Sequence, residues 1–590
     1  MRINKADAAL GYECRFAFHV NSKFNGDDAH FVKEIAHMPD GTKVPQIRVI
    51  KNFKRDFYVT KPGARQHKSK KEKESIEKLD RFVTTERDKL RSVAAALKQP
   101  WFKGKLKELS NSPYLYGSDI TTSSVIKRRY AEKFPGLNTP YSVAYFDTET
   151  DVLHNPKVKE VVMATITFKT KAVTAIQKSF VEKYPDAIEQ IRRIADENIK
   201  ETLETRKIDW EIVIVDKEID VIKTTIAKAH EWKPDFLACW NMLYDIERVV
   251  DACKRANINP ADILNDPSIP EEYRSFYLKI GPASRVTASG VHKSFKPAER
   301  WHTVYSPASF YWVCAMGSFR QIRTGGKEEP SHALDKILKK YAKISKLKFD
   351  VCSHLSGLPW HVEMQSKYPL HYAVYNLFDC VGGEILDEIT LDLTVKLSMY
   401  SGYSDFDRFN SEPKRKIDHL HFFLKEKRKE VIAACGTDNS DGLDNMTVPL
   451  SGWITMLYPH KLAGRGLRCI LENPWQDTNI HMGTSDLDVA AAYPNNQILA
   501  NACKETTVTE LVGIDGVPLE LVKLNTINFS SGHVNALEFC ADILDMPTLF
   551  EMEDAFVAAQ NDESYTRQVV VRQHYINTIE EDVEEYEQAA

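Results

Sequence analysis

The chain has 590 residues, with 79 basic side chains against 83 acidic ones and a formal charge of −4. At 43% hydrophobic, 27% charged and 10% aromatic residues it reads as a globular protein with more than one core, about four folded units by length. No apolar run reaches the ~18 residues of a membrane span and the opening Met1-Arg2-Ile3-Asn4-Lys5-Ala6-Asp7 lacks a signal core, which excludes membrane, secreted and fibrous classes. The ten cysteines are scattered without a C-x-x-C pair, the pattern of reduced thiols rather than of a structural zinc site. A near-neutral balance also means that any grip on nucleic acid is local.

In chain order, the first marked feature is a basic stretch from Lys51 to Lys73, either a solvated face or a track for phosphates. Ser142–Phe146 is short and apolar, a buried strand that runs into Asp147-Thr148-Glu149-Thr150. Residues i and i+2 of an extended chain share a face, so Asp147 and Glu149 project together. Such a pair suits a hard divalent ion, although an acidic turn has the same composition. Val161–Phe168 follows as a β-branched strand, then Glu211–Val215, a helical pattern through His230, and the strand Asp235–Cys239. This alternation predicts a mixed α/β sheet covered by helices. Trp240-Asn241-Met242-Leu243-Tyr244-Asp245 opens the next helix, where the Asp245 carboxylate either caps amides or faces a metal. A helical run from His371 to Ile385 places Tyr375 and Asp379 at i and i+4, on one face. A second basic stretch holds Lys414-Arg415-Lys416 and Lys425 to Lys429, and Glu580–Glu585 forms an acidic tail.

Together these residues resemble the three exonuclease motifs of family B DNA polymerases, the DEDDy type of 3′→5′ proofreading nuclease. Asp147 and Glu149 match the first motif, Asn241 and Asp245 the second, Tyr375 and Asp379 the third. Separations of 98 residues from Asp147 to Asp245 and 134 more to Asp379 are of the family's size. The second motif is one residue shorter than usual, a departure that bears on Asn241. The resemblance implies an α/β, ribonuclease H-like domain in which two Mg²⁺ ions share Asp147, Glu149, Asp245 and Asp379. Tyr375 would orient the attacking water, and Asn241 would contact the substrate strand.

Further on, Asp486-Leu487-Asp488-Val489-Ala490-Ala491-Ala492-Tyr493-Pro494 resembles polymerase motif A of the same family. The resemblance makes Asp488 a catalytic metal ligand. Backbone amides from Val489 to Tyr493 would hold the triphosphate, and Tyr493 would pack under the incoming sugar. Neither the D-T-D hairpin nor a K-x-x-x-N-S-x-Y-G fingers helix follows, and only 102 residues remain after Asp488. A two-metal transferase lacking one aspartate cannot close its site.

The implied protein is therefore the N-terminal part of a split polymerase of tailed-bacteriophage type. Residues 1–140 would form an N-terminal domain with a return segment at 392–470, and 141–391 the exonuclease. Residues 471–545 would begin the palm, and 546–590 would start the fingers or dock a partner. That partner would be a second chain carrying the remaining fingers, motif C and thumb, sharing the polymerase-site ions and reaching a sliding clamp. Primer-template DNA and dNTPs would be the substrates and the host-cell cytoplasm the compartment, with no membrane involved. Two alternatives remain: a stand-alone 3′→5′ exonuclease with a structural palm remnant, and a non-catalytic DNA-binding assembly subunit.

Overall fold

The computed structural model describes residues 9–434, apart from 25, 68–70, 287–291, 324–328 and 348, together with four strands beyond them. The chain divides into two compact units, Met1–Gly442 and Leu443–Ala590. In the second unit Cys469–Asn473 pairs antiparallel with Thr478–His481, and Thr507–Gly513 with Val569–Tyr575. The motif residues Asp488, Val489 and Tyr493 lie outside the described residues, as do 546–560.

The first unit is mixed α/β and centres on one six-stranded sheet. Its strands are β1 (Val143–Thr150), β2 (Val161–Phe168), β3 (Lys171–Gln177), β4 (Asp209–Val215), β5 (Phe236–Cys239) and β6 (Tyr311–Cys314). They lie in the order β4-β3-β2-β1-β5-β6. The run β1-β2-β3 is an antiparallel meander, whereas β4 lies parallel to β3, and β5 and β6 extend the other side parallel to β1. Parallel neighbours need a crossover, and the segments that supply it are helical.

Helix α1 (Ala187–Arg206) leads into β4 and α2 (Glu218–Trp232) into β5, while α3 (Met242–Arg255) follows β5. Later come α4 (Leu358–Lys367) and α5 (Pro369–Thr390). Alternation along β1 sorts them by face. Ala144 and Phe146 pack with Ile222 and Ile226 of α2 and with Met242, Ile246 and Val249 of α3. On the opposite face Met163, Ala172 and Ile176 join Ile191 and Ala195 of α1 and Tyr372, Ala373 and Tyr375 of α5. With both faces covered, the strands read as nearly continuous apolar runs, the mark of a doubly buried sheet. Helix α5 approaches β1 closely because residue 383 is glycine: a Cβ there would lie 2.4 Å from the Tyr145 ring.

Two strands, β3 and β6, lie where the sequence pattern gave no strand. The Lys171–Gln177 strand follows β2 after the two-residue turn Lys169-Thr170, and β6 has four residues. Strand β1 also runs past Phe146, because Asp147, Thr148 and Glu149 pair with Thr165, Ala164 and Met163 of β2. The acidic pair is thus fixed in a ladder rather than sitting in a turn. The second basic stretch lies on a helix, Glu412–Phe423, that continues through Leu424–Arg428 as a wider π-helical turn.

Before the central sheet, Gly11–Asn21, Asp28–His37 and Lys43–Lys51 form an antiparallel sheet. A second sheet joins Leu79–Thr84, Arg55–Thr60 and Leu115–Tyr116. The chain returns to this region after α5, where Glu430–Ile432 pairs with Lys73–Ser75 and Ala433 bridges to Tyr116. The buried Lys33 ammonium donates to Lys233 O at 2.8 Å and to Ser309 O at 2.6 Å, tying the first sheet to the ends of α2 and β6. No helix among the described residues is long and apolar enough to cross a membrane.

Candidate active site

The C-terminal end of β1 meets the middle of α5 and the start of α3 at a cleft of about 650 Å³. Asp147, Glu149, Asn241, Asp245, Tyr375 and Asp379 all line it. Odd-numbered side chains of β1 face α5, so Asp147 and Glu149 turn toward that helix together. Helix α5 answers with a stripe at positions 372, 375, 376 and 379, spaced i, i+3, i+4 and i+7. Ligand oxygens of Asp147, Glu149 and Asp379 lie within 4.8 Å of one another, a group that could hold a metal ion. Asp379 Oδ1 is buried without a hydrogen-bond partner, an orphaned acceptor on one of these three residues.

Asp245 reaches the site from the other face. It sits in the first turn of α3, yet its Oδ1 accepts from Thr148 N at 3.1 Å and from Thr148 Oγ1 at 2.8 Å. It is thus tied to the strand carrying the acidic pair. Asn241 occupies the N-cap position of α3, exposed at the cleft.

Four carboxylates in one buried place repel one another, and the site shows the strain. Burial raises Asp147 well above the usual carboxylate range, and Asp245, Glu149 and Asp379 push it further. Burial lifts Glu149 to about 8 against the bond from Tyr372, and lifts Asp245 to about 7 against the bonds from Thr148. Asp379 is raised by burial too, with Lys346 opposing the shift. Carboxylates held this way are short of positive charge, and hard divalent cations with oxygen ligands supply it. The donor set therefore fits such an ion.

Several further side chains complete the site, and the sequence reading had not assigned them. Lys346 Nζ donates to the Tyr375 hydroxyl at 2.9 Å and forms an ion pair with Asp379. Tyr372 donates to Glu149 Oε2 and is itself bonded to His361 Nδ1 at 2.7 Å. The Tyr372 and Tyr375 rings lie nearly parallel with centroids 5.7 Å apart, and Trp360 lies 4.7 Å from Tyr375.

Asn376 Nδ2 donates to Asp147 Oδ2 at 2.7 Å, and its orientation is imposed from across the sheet. Trp210 Nε1 donates to Thr174 Oγ1 at 2.9 Å, the hydroxyls of Thr174 and Thr165 are 2.8 Å apart, and Thr165 donates to Asn376 Oδ1. Indole N–H is a donor only, so the proton order runs one way and ends with the Asn376 amide nitrogen facing the carboxylate.

The α5 stripe has a sequence signal, because Tyr372 and Asn376 share the helical face of Tyr375 and Asp379. Lys346 carried no such signal, lying in an irregular lysine-rich segment between elements. No protein-family model matches the chain, and no curated protein matches it.

Proposed function

We propose that the cleft is the active site of a metal-dependent 3′→5′ exonuclease of the DEDDy type, acting on a frayed single-stranded DNA end. One observation carries this reading. Asp147 and Glu149 on one strand meet Asp379, far along the chain, within 4.8 Å and beside a tyrosine hydroxyl, with Asp245 lining the same cleft. A cleft of about 650 Å³ is the size that takes a small ligand, ~300–1,000 Å³, hence a terminal nucleotide rather than a duplex. The antiparallel β1-β2-β3 meander extended by parallel β5 and β6, with the carboxylates at the end of β1, supports a ribonuclease H-like assignment.

In this reading Asp147, Glu149, Asp245 and Asp379 would hold two Mg²⁺ ions. Bound there, the ions would supply a water made nucleophilic at neutral pH and positive charge for the departing 3′ oxygen. The chain's own groups do the rest. Tyr375 orients the attacking water through its hydroxyl, which Lys346 fixes. Tyr372 and Asn376 keep Glu149 and Asp147 aimed into the cleft. Water oxygen bonds to phosphorus as the P–O3′ bond breaks, and the products are a 5′-mononucleotide and a strand one residue shorter. Exposed Asn241 at the cleft rim would meet the strand.

The wider assignment, the N-terminal part of a split family B polymerase with a second chain completing the palm, rests on the sequence of Asp488, Val489 and Tyr493. The return strand Glu430–Ile432 beside Lys73–Ser75 supports the expected re-entry into the N-terminal region. The test is a 5′-labelled primer on a template with Mg²⁺, with and without dNTPs, against an Asp147→Ala, Glu149→Ala chain. Shortening that disappears in the double variant is expected, without extension. Shortening that persists would remove the nuclease assignment, and extension by this chain alone would remove the split.

A further inference from the structure

We infer that the turn carrying Trp101 is a second, non-catalytic contact for single-stranded nucleic acid, with one base stacking on the indole and phosphates resting on Lys98, Lys103 and Lys105. None of these residues lines the cleft.

Trp101 is 90% exposed, the highest value among the large apolar side chains described. Its backbone turn is anchored on both sides. Phe102 N donates to Gln99 O at 3.0 Å, closing a turn with Pro100 at its first central position, where the fixed proline φ is already suited. Lys98 enters the turn in the left-handed region with φ 62°. On either side, Leu97, Phe102 and Leu106 pack against Phe57, Val93 and Leu115, so the flanks are anchored while the indole is not. Gly104 lets the chain fold back beneath: a Cβ there would lie 2.5 Å from the Phe102 ring. An aromatic presented outward by an anchored turn leaves apolar area in water that a partner can cover.

The surroundings select the partner. Lys98, Lys103 and Lys105 are exposed, and among the described residues none of the three is in an ion pair. Beside the turn is a depression of about 350 Å³ bordered by Gln99, Phe102, Arg65, Tyr114 and Glu108, with the Arg65 guanidinium 5.0 Å over the Tyr114 ring and the Glu108 carboxylate accepting from Lys105 N at 3.3 Å. A protein hot spot or a lipid-inserting surface needs contiguous apolar side chains, and here one ring stands alone, with Lys98, Lys103, Lys105 and Arg65 around it against the single carboxylate of Glu108. A single ring with spaced cations instead matches stacking on one base combined with contacts to a polyanionic backbone.

The test uses the full chain and a fluorescein-labelled oligo-dT in EDTA, where metal-dependent cleavage is absent, followed by anisotropy at several salt concentrations. Trp101→Ala is expected to weaken binding about ten-fold, and Trp101→Phe by less than about three-fold. Lys98→Ala, Lys103→Ala and Lys105→Ala together should lower the slope of log K against log salt by about 2, near 0.7 for each phosphate contact. Both variants binding within about two-fold of the parent at every salt would overturn the inference. So would loss of binding to anionic vesicles on Trp101→Ala with oligonucleotide binding intact. Failure of the nuclease reading is separate, since it would show as persistent shortening in the Asp147→Ala, Glu149→Ala chain.

Discussion

Asn376 on α5 hands its amide nitrogen to Asp147 on β1 at 2.7 Å, and the orientation of that amide is set by a proton chain that begins at Trp210. The chain runs through Thr174 and Thr165, which belong to neighbouring strands of the sheet and never reach the cleft. Thr165→Val keeps the shape but removes the donor that holds Asn376 Oδ1, so the amide is free to turn its oxygen toward the carboxylate. The expected result is Mg²⁺ affinity lowered about 10–100-fold, as for other groups that orient a ligand, with the deficit recovered at high Mg²⁺. Mg²⁺ titration of exonuclease rate checks it, and an unchanged midpoint would contradict the relay.

Lys346 is the one cation bonded directly to the acid cluster among the described residues, with Tyr375 as its second partner. Lys346→Met should cut the exonuclease rate about 10–100-fold, the scale for a group that orients the residues around a metal. Oligonucleotide binding in EDTA should stay near that of the parent chain. A rate loss matched by an equal loss of binding would assign the lysine to substrate affinity instead.

Stability without metal should fall as pH rises. Unfolded, Glu149 and Asp245 lose their protons near pH 4, their ordinary range, whereas folded they keep them to about 8 and about 7. Between those limits the folded chain binds more protons, so raising the pH favours the unfolded chain. A divalent cation cancels the repulsion. The rise in melting temperature on adding Mg²⁺ to EDTA-treated protein should thus be larger at pH 8 than at pH 6. Equal shifts would mean that the carboxylates are not the binding groups.

Gly383→Ala tests the close approach of α5 to β1. The new methyl would sit 2.4 Å from the Tyr145 ring, one turn beyond Asp379 on the same helical face. Overpacking of this kind costs about 1–3 kcal/mol, and here it also shifts Tyr375 and Asp379 away from Asp147. Denaturant unfolding should show that loss together with reduced nuclease rate, and Tyr145→Leu in the same chain should restore part of both. Unchanged stability would show that the helix seats elsewhere.

The sequence by itself determined what is local. Alternation put Asp147 and Glu149 on one face of β1, and helical spacing put Tyr375 and Asp379 on one face of α5, because each pair lies within one regular element whose period fixes side-chain direction. It also determined the mixed α/β character, through alternating apolar runs and helical patterns. The Asp245 carboxylate stayed ambiguous, since a first-turn acid has the same sequence as a cap. Tertiary structure decided that it turns to Thr148 of β1. It likewise decided the strand order that places β1 between an antiparallel meander and a parallel extension. Lys346 beside Asp379 and the amide orientation of Asn376 were decided there as well. Those depend on which residues, tens to hundreds of positions apart, the folded sheet brings within hydrogen-bonding distance. No period along the chain encodes a distance of that kind, because it is set by helices and strands packing against each other to bury apolar faces.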